Sequence, residues 1–114
     1  MVINGVELED IDILDLETAE RYERALEGVE GVAEKVDGMK TSESIRTQCK
    51  AIFNVFNELF GEGTDRKVFG DKVNLLTSLK AFEELILQVE SKSSEAEKFI
   101  NKYSPDRAKR RSKK

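Results

Sequence analysis

The sequence predicts a mainly α fold: a three-helix bundle, or a four-helix one if its last segment breaks, with a short N-terminal β-hairpin, a long C-terminal helix and a disordered basic tail. Three observations lead there. Apolar residues recur at steps of three and four over three long stretches, the spacing of one helix face. The 114 residues include one Pro and no Trp, which favours uninterrupted helices over turn-rich β structure. Charged residues make up 37% of the chain, well above the usual quarter, as expected where each helix buries a stripe and solvates the rest. The length suits a single domain. It divides into a hairpin and connector over 1–15, a helical domain over 16–104 and a basic tail over 105–114.

The opening Val2-Ile3-Asn4-Gly5-Val6-Glu7-Leu8 places Asn-Gly between two short apolar runs, the signal of a type I′ hairpin. A lone hairpin is marginal in water, so it must pack on the helices, pair with another subunit or stay mobile. Asp15 is placed to cap a first helix over Leu16 to Val36, with Tyr22, Leu26, Val29 and Val36 on its apolar face. Gly28 and Gly31 weaken that helix, and either allow a close helix approach or mark a bend. Thr41 or Ser42 caps a second helix over Glu43 to Phe60, whose face is Ile45, Cys49, Ile52, Phe53, Phe56, Leu59 and Phe60. The stretch from Gly61 to Gly70 reads as a polar loop, with Val68-Phe69 plugged into the body.

Asp71 to Tyr103 carries the most regular pattern. Leu75, Leu79, Phe82, Ile86, Val89, Ser93, Ala96, Ile100 and Tyr103 follow an unbroken 4-3-4-3 spacing, a heptad seam. Its first five members read as core against the first two helices, and its continuation as an oligomerisation seam. Lys92-Ser93-Ser94 is the weak point, and Ser94-Glu95-Ala96-Glu97 has the pattern of a capping box. A continuous helix and a break there are both compatible with the residues.

Charge is distributed in blocks. Residues 1–38 carry 12 acidic and 3 basic side chains, residues 39–104 carry 10 of each, and residues 105–114 carry one acid and 6 bases. Those bases are Arg107, Lys109, Arg110, Arg111, Lys113 and Lys114. Phosphate binding by them would fall steeply with salt. No aromatic is interleaved for base stacking, and the acidic first third would repel a nucleic-acid backbone, so nucleic acid is disfavoured as a partner. A solubilising tail, or one that meets the acidic stripe of a neighbouring copy, fits better. That stripe is Glu20, Glu23, Glu27, Glu30 and Glu34.

Catalysis has little footing. The chain has no His and one Cys, so the common zinc sets and an internal disulfide are excluded. Cys49 sits on an apolar face without a base beside it, as a structural thiol does. Pairs such as Glu83-Glu84 read as solvated helix surface. No catalytic residue, metal ligand or cofactor is expected. The start lacks the basic and apolar regions of a signal peptide, and no aliphatic run approaches the roughly 20 residues that span a bilayer. No membrane is expected among the partners.

Val2-Ile3-Asn4-Gly5 followed by Leu16-Glu17-Thr18-Ala19-Glu20-Arg21-Tyr22-Glu23 resembles a family of small proteins encoded among the tail-morphogenesis genes of phages and prophages of Gram-positive bacteria, the tail assembly chaperones. The resemblance implies a non-enzymatic, self-associating helical protein of the bacterial host cytoplasm. Its implied partner is the tape measure protein, whose apolar segments it would keep soluble during tail assembly. Surplus apolar surface for such a client is expected at Phe53, Phe56 and Phe60, or at Ile100 and Tyr103. The alternatives are a nucleic-acid-associated regulatory phage protein that uses the basic tail, and a structural tail or head-tail component that oligomerises through the third helix.

Overall fold

A computed structural model describes residues 1–103. Two short strands, β1 (Val2–Ile3) and β2 (Val6–Glu7), pair antiparallel with Val2 opposite Glu7 and Ile3 opposite Val6. Asn4 and Gly5 turn the chain at φ 52° and 75°, the left-handed pair that a type I′ turn requires. The hairpin packs on the helices. Ile3 is fully buried, the Asn4 side-chain amide donates to the Val68 carbonyl at 2.7 Å, and Gln88 donates to the Val2 carbonyl at 2.8 Å.

Helix α1 (Leu16–Glu30) begins where Asp15 accepts hydrogen bonds from the Thr18 amide and hydroxyl at 3.1 and 3.0 Å. It stops at Gly31, and a single further turn, α2 (Val32–Lys35), follows. The expected helix to Val36 is therefore two pieces, interrupted at Gly31, while Gly28 stays inside α1. Helix α3 (Thr41–Phe60) starts at Thr41 itself, with Lys40 before it and no side-chain cap. The expected cap by Thr41 or Ser42 does not form.

The stretch read as a loop after Gly61 contains a short helix, α4 (Thr64–Phe69). It is held to α3 by the Asp65 amide, which donates to Asn57 Oδ1 at 3.0 Å. Val68 is buried and the Phe69 ring lies 4.7 Å from Phe53 and edge-on to Phe56 at 5.4 Å, so this pair does plug into the body. Gly70 ends α4 at φ 65°, a backbone geometry that favours glycine. The chain then turns into α5 (Leu75–Tyr103), capped by Asn74, whose Oδ1 accepts from the Thr77 amide at 3.0 Å.

Helix α5 is continuous through Lys92-Ser93-Ser94. At about 1.5 Å per residue it is roughly 43 Å long, and it sets the 55 Å long axis of the molecule. The radius of gyration is 17.1 Å, against about 13 Å for a compact chain of this length.

Helix α3 is central: α1, α2, α4 and α5 all pack on it. Cys49, Ile52, Val55, Phe56 and Leu59 are its buried residues. From α5 the buried residues are Ser78, Ala81, Leu85 and Val89. This corrects the expected seam. Of its first five members Val89 is buried as expected and Phe82 packs against the core from its edge, but Leu75, Leu79 and Ile86 lie off the buried stripe. The core instead takes the positions one residue before Leu79, Phe82 and Ile86. Small side chains explain the shift. Ser78 and Ala81 let the α5 backbone approach α3, and the Ser78 hydroxyl bonds its own helix at Asn74 O (2.8 Å) while meeting Cys49 Sγ at 3.5 Å. A serine that returns its hydrogen bond to the preceding turn needs no other buried partner.

Candidate interaction surface

The one-residue shift of the α5 core stripe leaves large apolar groups outside. Successive residues are turned by about 100° around a helix, so a heptad one position from the buried stripe lies on its flank. Leu79 is 44% exposed, while Leu75, Phe82 and Ile86 are half-buried. Further round, opposite the core, Leu76 is 62% and Leu87 56% exposed. Val73, just before the helix, is also exposed and borders a shallow pocket with Ile45 at the start of the bundle. One helix thus carries apolar side chains on its buried stripe, on one flank and on its outer face.

The acidic stripe is a second surface. Glu20, Glu23, Glu27, Glu30 and Glu34 are all exposed, and the neighbouring Glu17 pairs with Arg21 at 3.6 Å. Among the described residues no group of three or more His, Cys, Asp or Glu side chains is arranged to hold a metal ion. An open groove of about 470 Å³ lies between α1 and α3, lined by Ala25, Gly28 and Ala51 with Arg24, Asn54 and Glu58. Asn57 beside it is already engaged with α4.

A third feature ties the connector to α5. Asp10 Oδ1 accepts from Lys92 Nζ and from the Met1 ammonium, both at 3.0 Å, and that ammonium also meets Glu7 at 2.8 Å. The hydrogen bond from Lys92, then that from the ammonium, holds the Asp10 carboxyl below its ordinary 3.8. The hydrogen bonds to Glu7 and Asp10 raise the ammonium above its ordinary 8.0. Ile11, Ile13 and Leu14 of the connector line a small pocket with Ala96, so the second half of α5 is tethered to the body where a break had been an option. On the α1 side, burial raises the Tyr22 hydroxyl above its ordinary 10.0, helped by Glu90 of α5.

The residues expected to bind a client are scattered by the fold. Phe56 is fully buried, with its ring 6.1 Å from Phe60, and is corrected from candidate contact to core. Phe53 and Phe60 are half-buried and pack within the same aromatic cluster. Ile100 is half-buried on the far half of α5, beside Phe99 at 68% exposure, and Tyr103 closes the helix. The basic residues Arg107, Lys109, Arg110, Arg111, Lys113 and Lys114 lie outside the described residues. The sequence reading missed Leu76 and Leu87 because they fall off the heptad, although both are leucines on an otherwise polar helix face.

These features define a small helical bundle with an elongated last helix that carries unburied apolar groups. Among the described residues no helix is long and apolar enough to cross a membrane. The chain belongs to a family of unknown function, DUF6673, which matches residues 4–114. Neither the curated proteins nor the solved structures contain a match to it.

Proposed function

We propose that this chain is a non-enzymatic interaction protein, and specifically a phage tail assembly chaperone that keeps apolar helices of a tape measure protein soluble in the host cytoplasm. The observation that carries the reading is the flank of α5, where Leu79 stays 44% exposed between half-buried Leu75, Phe82 and Ile86. Apolar groups at this spacing suit helix-in-groove recognition, in which a partner helix lays its own stripe against them. The finer identity is supported by the resemblance of the hairpin and first helix to tail assembly chaperones. With Phe56 in the core, the client face moves from α3 to this flank and its continuation at Ile100.

The test is co-expression with an apolar helical fragment of a phage tape measure protein. The fragment is expected to be soluble and to co-purify, and Leu79→Asp is expected to abolish both without unfolding the chain. An insoluble fragment with nothing co-purifying would remove the chaperone reading. The nucleic-acid alternative rests on the basic tail alone, and no described feature favours it.

A further inference from the structure

We infer that the outer face of α5 is a self-recognition surface, on which a second copy of this chain packs antiparallel about a two-fold axis passing between Ala81 and Phe82. This does not rest on the chaperone reading, since it concerns the face opposite the core and not the flank.

The face consists of Leu76, Lys80, Glu83 and Leu87, spaced 4-3-4. All four are exposed, and neither Lys80 nor Glu83 has an ion pair among the described residues. The spacing is that of a two-heptad seam, with Leu76 and Glu83 at one core position and Lys80 and Leu87 at the other. The order Leu-Lys-Glu-Leu is self-complementary only when reversed. In an antiparallel pair the two core positions share a layer. Leu76 then meets Leu87 of the second copy, Lys80 meets Glu83 of the second copy, and the two-fold repeats both contacts. That is the self-matching pattern of an isologous interface.

A parallel pair would stack Lys80 on Lys80 and Glu83 on Glu83, with repulsion in both layers. Charge therefore selects the direction, as it does at coiled-coil positions that specify partner and orientation. A foreign helix would have to reproduce the same Leu-Lys-Glu-Leu order to satisfy all four residues, whereas a second copy supplies it by symmetry. Four layers on one helix pair fall below a standard interface in size. A dimer with a dissociation constant on the order of micromolar is expected.

Sedimentation equilibrium on the full chain, with helix content followed by circular dichroism, tests this. The chain should interconvert between monomer and dimer. Leu76→Ser with Leu87→Ser should leave only monomer at unchanged helix content. Lys80→Glu or Glu83→Lys alone should each weaken the dimer about tenfold or more, and the double exchange K80E/E83K should restore it. Under oxidising conditions a mixture of L76C and L87C chains should cross-link, and L76C alone should not. A monomer at every concentration, a dimer indifferent to the single charge reversals, or cross-linking of L76C alone would each overturn the proposal.

Discussion

Helices α3 and α5 hold the core between them by opposite means. Helix α3 fills it with bulk: Ile52, Phe56 and Leu59 are buried, and Phe56 anchors an aromatic cluster that reaches across to Phe69 of α4. Helix α5 meets it with a stripe that begins Ser78 and Ala81 and reaches large residues only at Leu85 and Val89. Three of its other large aliphatic groups, Leu76, Leu79 and Leu87, stand 44% or more exposed, and Leu75 and Ile86 are half-buried. A helix surrounded by neighbours must spend its apolar residues inward. A helix packed chiefly on α3, with lighter contacts to the hairpin and the connector, has apolar residues left for contacts outside the fold.

The contrast predicts where substitutions will hurt. Phe56→Ala on α3 should cost the most, about 3–5 kcal/mol by denaturant unfolding, because it empties the centre of the aromatic cluster. If it costs less than about 1 kcal/mol, α3 is not the core element described here. Ala81→Leu on α5 adds an apolar group yet should destabilise by about 1–3 kcal/mol, since the small side chain sets the approach to α3. The same unfolding experiment on Leu79→Ala should show a smaller loss. A reversed ranking of those two variants would return the core stripe to the heptad.

Smaller effects are expected at Gly31 and at the Asp10–Lys92 pair. Gly31 separates α1 from α2 at φ −85°, and a methyl group placed there meets nothing within 4 Å. Gly31→Ala should therefore stabilise by about 0.4–1 kcal/mol through the unfolded chain, visible as a higher Tm. A drop in Tm would mean that the interruption needs glycine. The smallest effect expected is at the exposed tether between Asp10 and Lys92. Asp10 is held below 3.8 in the fold, so its contribution is fully present above that value and is lost as pH falls through the lower folded value. The Tm difference between the chain and its Asp10→Asn variant should be steady near neutrality, shrink on acidification below 3.8, and diminish in high salt. A difference that persists in acid would show that the side chain acts through packing and not through charge.

Much of this was legible from residues alone. The Asn-Gly hairpin, the Asp15 cap and the three long helices follow from turn chemistry, capping and periodicity. The interruption of the first helix falls at Gly31, one of the two glycines that weaken it. What stayed hidden has a common physical cause. Periodicity weighs residues by hydrophobicity, whereas a close helix crossing selects them by size. Ser78 and Ala81 were invisible for that reason, and the more apolar flank was mistaken for the core. Val55 escaped for a related one: α3 is covered on more than one side, so its buried surface is wider than a single stripe. Helix α4 is short, lies between glycines and depends on Asn57 and the phenylalanines of α3, none of which is local to it. Leu76 and Leu87 gain meaning only once the core face of α5 is known.

Helix α5 buries one stripe and leaves the adjacent one partly exposed. This division is tested most directly by unfolding Leu85→Asp and Leu79→Asp full-length chains side by side in denaturant. Leu85→Asp should leave the chain largely unfolded, since it buries an unpaired charge, while Leu79→Asp should lose no more than about 1 kcal/mol and keep its helix content. Equal losses, or a larger loss for Leu79→Asp, would contradict it.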